Sequence, residues 1–106
     1  MRISKQALAF LKYLHDEGAT YQNEDPDSYG KISGFLLAES DEHFLPGTRA
    51  KLVMKMGARY NSVQRTVQKL HRDGYTTRRT QGRVHGYDYR LAEKGLRTLH
   101  ERGAID

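Results

Sequence analysis

Asn61, Arg65, Gln68 and Arg72 recur at the spacing that gathers side chains on one face of an α-helix. At 100° per residue, with Val63 as the origin, Val67 and Leu70 fall within about 40° of it; those four polar residues fall within about 40° of the opposite side. Ser62 and Lys69 flank them. Arginine can bond guanine at two atoms, and asparagine or glutamine can do the same with adenine, so this face has the chemistry to read base edges. The competing reading is an ordinary solvated face. Beyond the helix, Arg78, Arg79, Gln81, Arg83 and His85 lie on and between two stretches of β-type composition. A thin basic ribbon of this kind can lie against a phosphate backbone or enter a minor groove. An edge hairpin kept soluble by charge is its plain alternative.

Charge is distributed along the chain in the same sense. Residues 1–48 carry 4 Lys/Arg against 8 Asp/Glu, a balance of −4. Residues 49–106 carry 14 Lys/Arg against 5 Asp/Glu, a balance of +9, which together give the net +5 of the whole chain. Positive charge concentrated on an ordered motif points to nucleic acid, because phosphate neutralisation supplies much of the binding energy.

The elements that must position these residues follow from capping and periodicity. With 106 residues, one domain with one modest core is expected. Ser4 can cap a first helix from about Lys5 to Glu17, stopped by Gly18. Ala7, Leu8, Leu11 and Leu14 recur along it, and Phe10 and Tyr13 widen the apolar arc beyond the need of a small core. A wide arc suggests a partner subunit, the alternative being that FLLAES covers Phe10 within the same chain. Residues 19–34 are polar, acidic and rich in turn formers, and read as a loop inserted in the domain. FLLAES, residues 35–40, is either helical or extended. Thr48 caps a second helix, about Arg49 to Met56, with Ala50, Leu52, Val53 and Met56 inward and Gly57 as its end. Asn61, with Gln64 at capping-box spacing, starts a third helix that runs to about Asp73 and stops at Gly74. Tyr75–Arg79 and Tyr87–Leu91 read as strands, the second with Tyr87, Tyr89 and Leu91 alternating against Asp88 and Arg90. A short last helix, about Glu93 to Arg102, turns Leu96 and Leu99 inward.

This order resembles the winged helix-turn-helix regulators, in particular small members related to the multiple-antibiotic-resistance and phenolic-acid repressors. The residues that carry the resemblance are MGARYNSVQRTVQKLHRDGY, TTRRTQGRVHGYDYRL and AEKGLRTL, and it covers roughly residues 45–102. Ala92 stands where those families place Thr or Ser, so the last helix lacks its usual cap. The resemblance implies an α+β fold: a three-helix core, a C-terminal β-hairpin wing and a short final helix. It implies a sequence-specific double-stranded DNA-binding protein, a homodimeric transcriptional regulator, and the spare apolar surface of the first and last helices is expected to pair the two copies. The DNA-binding residues expected are Asn61, Ser62, Arg65, Gln68, Lys69 and Arg72 on the recognition helix, with Arg78, Arg79, Gln81, Arg83 and His85 on the wing. A winged-helix module for structured RNA or a ribosome is the first alternative. A phage-type interaction module that uses the acidic 16–29 segment for a protein partner is the second.

Other chemistries find little support. The absence of cysteine excludes disulfides, thiolate metal sites and cysteine catalysis. Asp25 to Gly30 begins like a calcium loop, but its twelfth position is Leu36 and its fifth is Tyr29. His15, His43, His71, His85 and His100 never fall at a paired ligand spacing, so no metal site is expected. Tyr60, Tyr75, Tyr87 and Tyr89 could include a recombinase nucleophile, yet buried tyrosines are far commoner. No acid/base pair or phosphate loop supports an enzyme, and no cofactor is expected. The longest apolar runs are interrupted at Lys12 and Glu39, too short to span a bilayer or form a secretory signal, and a cytoplasmic protein is expected.

Overall fold

A computed structural model describes residues 3–40, 49–81 and 84–106, with the side chains of 40, 49–58, 81, 84 and 85 outside the description. Its elements are α1 (Lys5–Asp16), α2 (Ile32–Ser40), α3 (Arg49–Arg72), β1 (Thr76–Gln81), β2 (Val84–Leu91) and α4 (Glu93–Glu101). The fold is α+β, with four helices and a two-stranded antiparallel hairpin among the described residues.

Local chemistry explains most element ends. The Ser4 hydroxyl accepts from the Ala7 amide at 3.1 Å and starts α1. Glu17 caps its end, and Gly18 turns the chain away at φ +73°, a conformation that costs glycine little. At the end of α3, Gly74 takes φ +87° and the Tyr75 amide reaches back to the Leu70 carbonyl at 2.9 Å, which satisfies a terminal acceptor. Ala92 makes no side-chain cap for α4, as expected.

α3 departs from the expected pair of helices. It runs unbroken for 24 residues, about 36 Å, through Gly57 and Asn61. The turn expected between Gly57 and Asn61 is absent, and Asn61 is an interior helical residue rather than a cap. No proline interrupts the segment, and an interior glycine costs only about 1 kcal/mol. Against that, Tyr60, Val63, Val67 and Leu70 stay in phase on the buried side. Packing therefore overrides the local stop and start signals. FLLAES is helical and belongs to α2, which begins inside the segment expected as loop. Thr48 lies outside the described residues, as do the side chains of Ala50, Leu52, Val53 and Met56.

The core joins Phe10, Leu11 and Leu14 of α1, Phe35 and Leu36 of α2, Val63, Val67 and Leu70 of α3, and Tyr89, Leu91, Leu96 and Leu99 beyond. Phe10 is fully buried within its own chain, edge-on to Phe35 and Tyr89. It offers no apolar surface to a second subunit. FLLAES forms a helix that brings Phe35 over it, so Phe10 and the centre of the α1 arc are used internally, with Leu8 and Tyr13 partly buried at its margins.

The hairpin pairs Thr76 with Leu91, Thr77 with Arg90, Arg78 with Tyr89, Arg79 with Asp88 and Thr80 with Tyr87, with an irregularity between Thr80 and Gln81. Residues 19–30 are attached to the other edge of β2 at both ends. Leu91 N donates to Ala19 O at 2.7 Å and Tyr21 N to Leu91 O at 2.9 Å. Gly30 and Tyr89 exchange both of their backbone bonds, at 2.7 and 2.8 Å. The loop thus occupies an edge that would otherwise expose unpaired donors and acceptors.

Candidate nucleic-acid interface

The outward side of α3 is built by the same phase that builds the core. Val63, Val67 and Leu70 are buried, and Thr66 is fixed at the margin, its hydroxyl donating to Gln6 Oε1 at 2.7 Å. Asn61, Ser62, Arg65, Gln68, Lys69 and Arg72 are all exposed on the remaining surface. The sequence expectation for this set therefore matches the observed exposure, although the helix that carries it is longer than expected. Arg49, Lys51, Lys55, Arg59, Arg65, Lys69 and Arg72 are its seven Lys/Arg, and it contains no Asp or Glu. Arg59 bonds Glu39 of α2 and is spent on joining the two helices. Arg72 lies 3.8 Å from Asp73 with its side chain 73% exposed, a screened contact that leaves the guanidinium accessible.

The hairpin separates its arginines onto two faces. Arg78, opposite Tyr89, lies on the core-facing side, its guanidinium carbon 4.0 Å from the centre of the Tyr87 ring. Burial raises the Tyr89 pKa above its ordinary value of 10.0, and a hydrogen bond from Arg78 opposes it in part. Tyr87 is 38% exposed, not buried with Tyr89 and Leu91 as the alternation suggested. It lies toward the hairpin tip, beyond the helices that cover its two neighbours.

Arg79 occupies the opposite face and meets the acidic loop. Its Nη1 donates to Pro26 O at 3.2 Å and to Asp27 Oδ1 at 3.3 Å. Its guanidinium carbon is 4.1 Å from the Tyr29 ring centre, and its Nε is 3.8 Å from Asp88 Oδ2. Arg90, on the same face, donates from Nε to Thr20 O at 2.7 Å and also bonds Asn23 O. Asp88 is buried, where the alternation suggested solvent, because loop and guanidinium cover it. Arg83 lies outside the described residues, and so do the side chains of Gln81 and His85.

Sequence reasoning missed Tyr29, Asp27 and Arg90 as neighbours of Arg79 on the hairpin. The only signal was parity: Arg79 and Arg90 belong to the strand face that also carries Asp88. Inside the loop, the Asn23 and Asp25 side chains accept from the Asp25 and Asp27 amides, both at 2.9 Å. These carboxylate and amide oxygens shape turns. Among the described residues no group of three or more His, Asp or Glu could hold a metal ion. Nor is any described helix long and apolar enough to cross a membrane.

In comparison with known proteins, the chain matches no family model, no curated protein and no solved structure.

Proposed function

We propose that this chain is a winged-helix protein that binds double-stranded DNA in a sequence-specific manner, with α3 in the major groove and the β1–β2 hairpin as its wing. The observation that carries the reading is the outward face of α3: Asn61, Ser62, Arg65, Gln68, Lys69 and Arg72 are exposed together on a helix without a carboxylate. Arg65 and Gln68 supply bidentate donors and acceptors for base edges, while Lys69 and Arg72 supply charge for phosphate. The order of helices, hairpin and final helix is compatible with that layout. A single helix reads few base pairs, so the reading includes two copies on a palindromic site, acting as a transcriptional regulator.

Selection of bound duplexes from a random pool, with structured RNA as competitor, tests it. A palindromic consensus, lost in Arg65→Ala, is the expected result. Preferential binding to the RNA, or enrichment of no sequence, rejects the DNA reading.

A further inference from the structure

We propose that the acidic loop of residues 20–29 is a built-in competitor for Arg79, occupying it until an anionic ligand of the wing displaces the loop. This rests on the reading of that ligand as duplex DNA. The loop presents to Arg79 what a nucleic-acid backbone presents: an anionic oxygen from Asp27 and a neutral acceptor from Pro26. The Tyr29 ring supports the guanidinium from below and lies 5.5 Å from that of Arg90. The adjacent Arg78 also rests on a ring, that of Tyr87 on the other side of the hairpin, but no carboxylate is paired with it among the described residues. Two neighbouring arginines are thus treated differently: Arg79 is held by the anionic loop, whereas Arg78 is held by the tyrosines of β2.

The attachment is built to exchange. Both ends of the loop are held by backbone bonds to Tyr89 and Leu91. Arg90 holds the first half of the loop through Thr20 O and Asn23 O, whereas Arg79 is held by Pro26 O, the Tyr29 ring and a 3.3 Å bond to an Asp27 side chain that is 81% exposed. A water-screened pair of that kind is weak enough for phosphate to replace. Release of Asp27 leaves the paired ends in place, so the loop can yield Arg79 without unfolding the sheet edge. Net negative charge in residues 1–48 then limits non-specific binding by a basic half of the chain, and the limit is local to the wing.

The test compares Asp27→Asn with Glu101→Gln, the same charge change outside the loop and wing, in binding to a random-sequence duplex across a salt series. Asp27→Asn should tighten binding roughly two- to fivefold at low salt and steepen the salt dependence by about one phosphate contact. Glu101→Gln should change affinity by well under twofold. Arg79→Gln should weaken binding less in the wild-type background, where the loop competes for Arg79, than in Asp27→Asn, where it should abolish the gain. Tyr29→Leu, which removes the ring and keeps apolar bulk, should reproduce the gain. Equal effects of Asp27→Asn and Glu101→Gln, or an equal cost of Arg79→Gln in both backgrounds, overturn the proposal. Elution from immobilised heparin separates this from the DNA reading. If no variant binds duplex but Asp27→Asn still elutes at higher salt than Glu101→Gln, the DNA reading fails and the loop competition stands. Equal elution overturns the competition itself.

Discussion

Phe35 meets Phe10 edge-on, with ring centroids 5.2 Å apart and planes at 90°. The contact links α2 to α1 and completes the cover over a side chain with no exposed surface. Phe10→Glu would place a carboxylate in that fully buried site among aromatic rings. Circular dichroism should show an unfolded chain, since loss of the packed ring alone costs about 3–5 kcal/mol and the charge adds to it. A folded monomer in sedimentation would contradict the internal role of Phe10.

Leu70 lies on the buried side of α3, 3% exposed. Leu70→Ala should cost on the order of 2–5 kcal/mol of unfolding free energy. For a domain of this size that is a large share of the total. Thermal or denaturant unfolding measures it, and an unchanged midpoint would mean that the phase of α3 is wrong.

Gly95 supports close packing of α4 against Tyr75, which joins α3 to β1, and Leu91 of β2. A Cβ there would sit 2.3 Å from the Tyr75 carbonyl oxygen and 3.3 Å from two Leu91 carbons. The first neighbour is backbone and has little room to yield. Gly95→Ala should therefore destabilise by roughly 1–3 kcal/mol despite the better helix propensity of alanine. The exposed Arg97→Ala, two residues on, should stay within about 0.5 kcal/mol of the parent.

Arg65→Ala and Gln68→Ala should each weaken binding to a selected duplex by roughly 1–3 kcal/mol and relax preference at one base position. Both side chains are exposed, so melting temperatures should hardly change. Parental affinity and preference in both variants would show that α3 is not the reading element.

Tyr89 predicts the alkaline limit of stability. Its folded pKa is raised above 10.0, chiefly by burial. Its contribution is then complete below the unfolded pKa. It is lost as pH rises, because the unfolded chain releases the phenolic proton more readily. Denaturation followed between pH 8 and 11 should show stability falling above about pH 10, and Tyr89→Phe should reduce that slope. An equal slope in both proteins would remove Tyr89 as the cause.

The sequence by itself determined what rests on neighbours a turn away. Ser4 as a cap, Gly18 and Gly74 as stops, and the opposed faces of Val63, Val67, Leu70 and of Asn61, Arg65, Gln68, Arg72 all follow from a 3.6-residue period. Tertiary structure decided what depends on distant partners. Gly57 and Asn61 read as the end and start of helices, yet the core side of α3 holds its phase through both, and the helix continues. Phe10 read either as surface for a second subunit or as covered by FLLAES, and only the packing of Phe35 over it decides for the second. Arg78 and Arg79 are indistinguishable in composition, but a strand turns successive side chains to opposite faces. Only the attachment of residues 19–30 to the free edge of β2 gives one of those faces an acidic neighbour.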